Sequence, residues 1–325
     1  MEEVMVEVIK LKKLFPVQHR FWGKGHQFVH AVDEVSFSIN KGRILGLVGE
    51  SGSGKTTCGK LMVRLFRATS GNIFIDGKDI EHLEKRQLKE FRKSVQMIFQ
   101  DPYESLNPRM TVMDTIVEPL IIQHIGDSVF REEKVIQALE VVELTPPQEF
   151  IYRFPHELSG GQRQRVSIAR ALVVEPKFIV ADEPVSMLDA SIRVGIMNLL
   201  LRLKEKFNLT YIFITHDLAV ARYMCDELAV MYLGKIVEKG QTEEVIKNPQ
   251  HPYTKALLSA VPIPDPDYNR PRVEIKGRIT TPINPGVECR FASRCAQVKD
   301  ICRKQMPELK SCDNQHFVAC VNVQV

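Results

Sequence analysis

The sequence predicts an α/β fold that combines parallel core strands with an antiparallel β part, an inserted helical segment and a small cysteine-rich C-terminal extension. Three observations lead to this prediction. Short apolar runs recur along the chain and end in polar or glycine-rich residues, as buried parallel strands do. A helical stretch at about residues 101–175 interrupts the alternation of strand and helix. Five of the seven cysteines lie between Cys289 and Cys320.

Size and composition limit the domain organisation, the partners and the cellular compartment that we expect. At 325 residues, the chain can hold one large core and a smaller second unit, for which we expect residues 1–260 and 261–325. The 44 basic and 40 acidic residues are spread evenly, which argues against nucleic acid as a partner. No apolar run reaches the length of a membrane span, and the acidic start Met1-Glu2-Glu3 is unlike a secretory signal. We therefore expect a cytosolic chain whose clustered cysteines form a local site.

The first strands alternate apolar and polar residues. This pattern at Val4–Leu11 and Val35–Ile39 predicts an antiparallel sheet. A further strand and turn follow at Asn72–Asp76 and Gly77–Asp79. These strands flank the most informative stretch of the sequence.

That stretch is Gly49–Thr57, which follows the apolar run Ile44–Val48 and precedes a helix at Cys58–Phe66. The order strand, glycine loop, helix lets backbone N–H groups converge on phosphate oxygens at a helix N-terminus. Lys55 would reach the β- and γ-phosphates of a nucleotide, and the Thr56 hydroxyl would hold Mg²⁺. A flexible Gly/Ser turn is the alternative. The expected nucleotide contacts are Gly49, Ser51, Gly52, Gly54, Lys55, Thr56 and Thr57.

Aromatic residues between the first two strands are candidates for stacking on an adenine ring. Packing into the local core is the alternative for each of them. The first choice is Phe15, followed by Phe21, Trp22 and Phe28.

The charged helix Lys85–Lys93 leads into a buried strand at Val95–Gln100. Gln100 stands at the carboxyl end of this strand, where parallel sheets place ligands, and can reach a metal ion or a water molecule. A surface glutamine is the alternative. The Pro-rich loop from Asp101 then opens the helical insert, which includes a helix around Met113–Pro119.

The insert ends with Leu158–Gln162, followed by a helix at Arg163–Val174. Ser159 can cap this helix while Gly160 and Gly161 expose N–H groups at its positive end, so the segment is a candidate second anion site. A plain capped helix is the alternative reading.

Two later strands end in polar residues. Lys177–Glu183 delivers Asp182, which suits Mg²⁺, and Glu183, which suits polarising the attacking water. Asp189 opens a long helix, and the strand Thr210–Thr215 then leads to His216. His216 can donate to a γ-phosphate and hold Glu183 and the water, or it can be structural.

With these stretches in this order, the sequence resembles the ATP-binding-cassette ATPases over about residues 4–245. The resemblance implies a P-loop NTPase core that binds ATP and Mg²⁺ and hydrolyses ATP. Within it, Gln100, Glu183 and His216 would be catalytic, and Thr56, Gln100 and Asp182 would hold Mg²⁺. The matching motifs are the Walker A loop (Gly49–Thr57), the Q-loop (Gln100), the signature (Leu158–Gln162), Walker B (Phe178–Glu183), the D-loop (Ser186–Asp189) and the switch histidine (His216).

The resemblance also implies a dimer. In it, ATP lies between the Walker A loop Gly49–Thr57 of one subunit, called the phosphate loop below, and the signature of another. Nucleotide contacts across this interface would come from Ser159, Gly160, Gly161, Gln162 and Asp189. Met187 departs mildly from the family's D-loop, where alanine is commoner. The helical insert would face the membrane partner.

Two segments, Gln100–Arg109 and His251–Leu258, resemble the oligopeptide/dipeptide importer branch, in particular its second ATPase subunit. This implies transmembrane permease subunits, a related second ATPase subunit forming a heterodimer and, indirectly, an extracytoplasmic binding protein. The chain would lie at the cytoplasmic face of the membrane. Importers of oligosaccharides or nickel and soluble, non-transport cassette ATPases remain alternatives.

The tail has the spacing Cys289-x₅-Cys295-x₆-Cys302-x₁₇-Cys320. Thiols this dense in a cytosolic chain indicate a metal or cluster, although no Cys-x₂-Cys pair of a zinc ribbon is present. Some peptide-importer ATPases resemble this tail and carry a [4Fe–4S] cluster, which implies these four cysteines as ligands, with Cys312 as a spare. Zinc and free thiols are the alternatives.

Overall fold

The computed structural model describes residues 3–17, 27–261, 273, 275, 277, 280–313 and 315–323. The chain forms two units, each assembled from several stretches. The first comprises Met1–Glu3, Asn40–Arg43 and His82–Ile212, and the second comprises Val4–Ile39, Ile44–Glu81 and Phe213–Val325. The predicted linear boundary at residue 260 stays a prediction.

Strands and helices alternate through most of the described chain. The strands are β1 (Val4–Pro16), β2 (Phe28–Asn40), β3 (Ile44–Val48), β4 (Ser70–Ile75), β5 (Lys78–Asp79), β6 (Val95–Ile98), β7 (Phe178–Asp182), β8 (Thr210–Thr215), β9 (Glu227–Tyr232), β10 (Lys235–Gln241), β11 (Lys310–Asp313) and β12 (His316–Val318). The α-helices are α1 (Lys55–Met62), α2 (Lys85–Ser94), α3 (Pro102–Ser105), α4 (Val112–Gln123), α5 (Ser128–Val141), α6 (Gly160–Leu172), α7 (Ala190–Phe207), α8 (Leu218–Met224), α9 (Thr242–Lys247) and α10 (Pro252–Ser259). Short 3₁₀ helices lie at Pro147–Glu149, Pro155–Glu157 and Asp300–Arg303.

The antiparallel part of the second unit is a sheet with the strand order β2-β1-β4-β5. β1 pairs with β4 in antiparallel fashion, with Val6 opposite Ile75, and β4 pairs with β5 in the same way. The apolar side chains that alternate along β1 point inward, since Val6, Val8 and Leu11 are buried. The predicted antiparallel sheet is therefore confirmed, although β4 begins at Ser70 and not at Asn72.

A buried parallel pair of strands leads to the phosphate loop in the same unit. Every residue of β3 is buried, and β3 pairs in parallel with β9, with Leu45 opposite Glu227. β10 extends this sheet by pairing antiparallel to β9. The phosphate loop therefore starts from the carboxyl end of a strand that is fixed by its neighbour.

Helix α1 is displaced from its predicted range. It begins at Lys55, before the predicted Cys58, and ends at Met62, before the predicted Phe66. The early end has a local cause. Arg64 takes a left-handed backbone conformation (φ +58°), which a right-handed helix cannot continue, and its guanidinium donates to two carbonyl oxygens just beyond β5.

The tail adds two strands to the sheet of β9 and β10. β12 pairs antiparallel with β10, with Glu238 opposite Val318, and β11 pairs antiparallel with β12. The sequence did not predict these strands because both are short. As a result, the described part of the tail folds in the same unit as the phosphate loop.

In the first unit, β6 and β7 pair in parallel, with Val95 opposite Phe178. Between them in the chain come α3 to α6, in agreement with the predicted helical insert. α4 and α5 pack on α6, whose inner face carries the buried residues Val166, Ile168 and Ala169. Because these helices bury their own apolar residues, they form a folded segment inserted between two core strands. Of the helices that the structure describes, none has the length and apolar composition needed to cross a bilayer.

Candidate active site

The phosphate loop holds three glycines in backbone conformations that other residues rarely adopt. The φ angles are +152° at Gly49, +79° at Gly52 and +106° at Gly54. A β-carbon at Gly49 would lie 2.2 Å from the carbonyl oxygen of Met231, and one at Gly54 would lie 2.1 Å from that of Ala31. Both contacts are with backbone atoms, which cannot easily move aside. At these two positions the close packing of the loop therefore requires glycine.

Lys55 is the first residue of α1, and its side chain is turned back over the loop. It is 5% exposed, and its ammonium donates to the carbonyl oxygens of Gly49 at 2.7 Å and of Glu50 at 2.9 Å. A buried ammonium beside a helix N-terminus favours the binding of an anion. The loop and the first turn of α1 also contain the remaining predicted contacts Ser51, Thr56 and Thr57.

In the first unit, two predicted catalytic side chains are in contact. Gln100 follows β6 and Glu183 follows β7, and Gln100 Nε2 donates to Glu183 Oε2 at 3.1 Å. Glu183 has a φ of +46°, a left-handed conformation that costs roughly 1–2 kcal/mol and that is concentrated at functional sites. Asp182, the last residue of β7, is 3% exposed. A carboxylate and an amide thus lie together directly after the strand that ends in Asp182, and oxygen donors of these types suit Mg²⁺ and the polarising of a water.

The predicted second anion site is a reciprocally capped helix start. Ser159 is the N-cap of α6, and its hydroxyl accepts from the Gln162 N–H at 3.3 Å while Gln162 Oε1 accepts from the Ser159 N–H at 2.9 Å. This capping box starts the helix at Gly160, so the predicted cap at Ser159 is confirmed, and the helix takes in the three residues before the predicted helical run at Arg163–Val174. Gly161 is needed for packing, since a β-carbon there would lie 2.7 Å from Ile192 Cγ2.

Two further predicted site residues lie at the ends of regular elements. In the first unit, Asp189 is exposed and is the N-cap residue of α7. In the second unit, His216 is exposed and directly follows β8. Their assigned roles toward ATP stay predictions.

The candidates for adenine stacking have different surroundings. Phe15 is half-buried and packs edge to face on Phe66 with ring centroids 5.5 Å apart, while Lys13 Nζ lies 5.0 Å from its centroid. Phe28 is half-buried in β2. The alternatives Phe21 and Trp22 lie outside the described residues. Stacking on adenine by any of these rings stays a prediction.

The four cysteines selected as ligands line one cavity. Cys289, Cys295, Cys302 and Cys320 surround it together with side chains that include His251 and Phe291. All seven cysteines of the chain are free thiols. Burial, followed by the proximity of the other thiols, raises the pKa of Cys289 to about 11. Burial likewise raises the pKa of Cys295 and of Cys320.

Cys312 is not among the residues that line this cavity, and its thiol donates to the carbonyl oxygen of His316 at 3.3 Å. Its role as a spare stays a prediction. Among the described residues, no three His, Cys, Asp or Glu side chains are arranged to hold a single metal ion. The structure therefore gives no support to a tetrahedral zinc site. The predicted iron–sulfur cluster is likewise not supported by such an arrangement, although the thiols that line the cavity are of the ligand type that clusters use.

One residue of the phosphate loop and two residues that contact it were not identified from the sequence. Arg294 of the tail makes two hydrogen bonds to the carboxylate of Glu50, at 2.6 and 3.1 Å. The hydroxyl of Tyr253 accepts from the Glu50 N–H at 2.8 Å. Glu50 occupies an unspecified position of the glycine motif, and its partners follow 203 and 244 residues later, so no local pattern reveals them.

Comparison with known proteins identifies the family and the fold. Residues 32–186 match the ABC transporter family, and residues 237–302 match the oligopeptide/dipeptide transporter C-terminal region. A solved dimeric ATP-binding cassette in a post-hydrolysis state, bound to ADP and Pi, is 30% identical with a TM-score of 0.64. The match covers 73% of this chain and 99% of that one. The predicted α/β cassette fold is thus confirmed.

Named relatives match about nine-tenths of the chain or nearly all of it. The oligopeptide transport ATP-binding protein AppF of Bacillus subtilis is 48% identical over 322 residues, covering 98% of this chain and 97% of the relative. The dipeptide transport ATP-binding protein DppF of Haemophilus influenzae is 43% identical, with coverage of 98% and 97%. A putative peptide import ATP-binding protein of Brucella ovis is 50% identical over 290 residues, with coverage of 89% and 91%. The chain therefore belongs to the ATPases of the ABC transporter family, in the branch that carries the oligopeptide/dipeptide transporter C-terminal region.

Proposed function

We propose that this ATPase energises the uptake of dipeptides or oligopeptides through transmembrane permease subunits at the cytoplasmic face of the membrane. The observation that carries the proposal is the pair of local sites: a glycine loop with a buried lysine, and a Gln100–Glu183 pair beside Asp182. The names of the relatives support peptides as the transported class.

In this proposal, each residue has a chemical role. The loop N–H groups and Lys55 would hold the β- and γ-phosphates of ATP, and Thr56, Gln100 and Asp182 would hold Mg²⁺. Glu183 polarises the attacking water, which lies against the γ-phosphate. His216 donates to the γ-phosphate and helps to hold this water.

The test of the catalytic assignment is Glu183→Gln. The substitution keeps the shape of the side chain and its contact with Gln100 but removes the base, so turnover should fall by about 10²–10⁴-fold while ATP affinity changes little. ATP-bound dimers should accumulate. Near-normal turnover in this variant would refute the role of Glu183.

The transported class needs its own experiment. Cells that lack this chain should lose uptake of labelled di- and tripeptides and recover it with the wild-type chain but not with Glu183→Gln. Unchanged peptide uptake would remove the peptide assignment while leaving the ATPase intact.

We further propose that a related second ATPase subunit completes the active site, and that an extracytoplasmic binding protein delivers the peptide. Each chain has one phosphate loop and one signature, so two complete sites require two chains. The similar solved cassette is itself a dimer. In such a dimer, Ser159, Gly160, Gly161, Gln162 and Asp189 would contact the nucleotide of the partner.

The cysteine cavity is proposed to hold a [4Fe–4S] cluster on Cys289, Cys295, Cys302 and Cys320, with a structural role. Its support is the shared cavity and the all-thiol ligand set. Anaerobically purified protein should contain about four iron and four sulfide per chain. Cys295→Ser should lose most of this iron, whereas Cys312→Ser, the matched control in the same tail, should keep it. Zinc without sulfide, or no metal at all, would contradict the cluster.

A further inference from the structure

Two arginines lie between the first two cavity cysteines, and both are paired with carboxylates. Arg294 Nη1 lies 2.6 Å from Glu50 Oε2, and Nη2 lies 3.1 Å from Oε1, so the guanidinium and the carboxylate meet side by side. Arg290 Nη2 lies 2.6 Å from Asp33 Oδ2, with both side chains 7% exposed. Side-by-side pairing of this kind fixes orientation as well as charge.

Glu50 is the second residue of the phosphate loop, and its backbone is held as firmly as its side chain. Its N–H donates to the Tyr253 hydroxyl at 2.8 Å, and its carbonyl oxygen accepts from Lys55 Nζ at 2.9 Å. One residue therefore connects the tail arginine, a tyrosine of α10 and Lys55, the predicted phosphate contact.

The same tyrosine belongs to an aromatic cluster that reaches the cysteine cavity. Tyr253 packs against Tyr232 and Phe291, with ring centroids 4.6 and 5.4 Å apart respectively. Phe291 lines the cavity, and Arg294 directly precedes the cavity residue Cys295. The wall of the cavity and the support of the loop are thus built from one packed group of residues.

We propose that Arg294 is a positioning residue of the phosphate loop, through which the cysteine-lined segment 289–295 sets the affinity for ATP. Arg294 holds the carboxylate of Glu50, and the carbonyl oxygen of Glu50 in turn holds the ammonium of Lys55. Because Arg294 is the neighbour of Cys295, a change at the cavity moves the arginine and is transmitted to the loop.

The first experiment measures binding of a non-hydrolysable ATP analogue to the full chain by equilibrium titration. Arg294→Met and Glu50→Gln should each raise the Kd about tenfold, as expected for the loss of a partly buried charge pair. The Kd of the double variant should exceed that of either single variant by no more than about twofold, because both changes break the same contact. Arg294→Lys should recover part of the affinity. Arg303→Met, which removes an exposed arginine of the same tail, should leave the Kd unchanged.

Two results would overturn the proposal. One is a Kd within twofold of wild type for both Arg294→Met and Glu50→Gln. The other is a double variant about a hundredfold weaker than wild type, which would mean that the two residues act independently.

A steady-state readout separates positioning from a general structural role. In the presence of the partner subunit, Arg294→Met should raise KM for ATP about tenfold while kcat at saturating ATP stays within twofold, because the chemistry at Glu183 is untouched. A fall in kcat with unchanged KM would contradict positioning of the phosphate loop.

The link to the cavity is tested by combining substitutions. Cys295→Ser should raise the Kd several-fold in the wild-type background but have little further effect in Arg294→Met. Equal effects in both backgrounds would contradict transmission through Arg294. The proposal rests on the role of the phosphate loop in binding ATP, which Lys55→Ala tests separately. Retained affinity in Lys55→Ala would refute that function, whereas loss there with unchanged binding in Arg294→Met would refute only this inference.

Discussion

The substitution Gly49→Ala tests how tightly the phosphate loop is packed. The new β-carbon would lie 2.2 Å from the carbonyl oxygen of Met231 and 3.1 Å from Ser53 Oγ, so the loop or β9 must move. We expect this overlap to lower the free energy of unfolding by about 2 kcal/mol and the positive φ to lower it by about 1 kcal/mol. The sum, about 3 kcal/mol, corresponds to a fall of roughly 6–12 °C in the unfolding midpoint of a domain of this size.

Gly52→Ala is the matched control in the same loop. It also introduces a β-carbon at a positive φ, +79°, but no atom lies within 4 Å of that position. Only the cost of the positive φ remains. It should lower the free energy of unfolding by about 1 kcal/mol and the unfolding midpoint by roughly 2–4 °C. The unfolding midpoints of both variants are measured without nucleotide, so that contacts with bound phosphate do not contribute to them. Equal midpoints for the two variants would refute the claim that Met231 confines the loop.

Two further predictions concern stability and thiol reactivity. Arg163→Met removes a buried guanidinium that donates to the Pro155 carbonyl oxygen at 2.9 Å and stacks on Tyr103 at 3.6 Å, so the unfolding midpoint should fall by an amount equivalent to about 2 kcal/mol. An unchanged midpoint would show that these contacts add nothing. Burial raises the pKa of Cys58 to about 12 and also raises that of Cys225, so iodoacetamide at neutral pH should label Cys312 well before either buried thiol, as mapped by mass spectrometry. Rapid labelling of Cys58 in the folded chain would contradict its burial.

The elements that could be predicted are those that a short stretch of neighbouring residues specifies. β3, β7 and β8 appear in the sequence as continuous apolar runs because each is buried along its whole length. Gln100 and Glu183 were each selected as site residues because each follows a buried strand, and their contact with each other is a finding of the structure. Glycine spacing likewise revealed the phosphate loop, since its backbone conformations require glycine.

The features that were missed depend on partners distant in sequence or on side-chain detail. The cap of α6 at Ser159 was predicted, but the reciprocal bond from the Ser159 N–H to the Gln162 side chain was not. The pairing of Arg294 with Glu50 spans 244 residues, and no periodicity encodes it. β11 and β12 are recognisable only through their pairing with each other and with β10.

The proposed shared active site is tested by the rate of ATP hydrolysis per chain, measured anaerobically over a wide range of protein concentration, with and without the related ATPase subunit. We expect little activity from the dilute chain alone and a steep rise when the partner is added, because in the proposed dimer the signature of one subunit completes the phosphate site of the other. A constant rate per chain, independent of both concentration and partner, would contradict a shared active site.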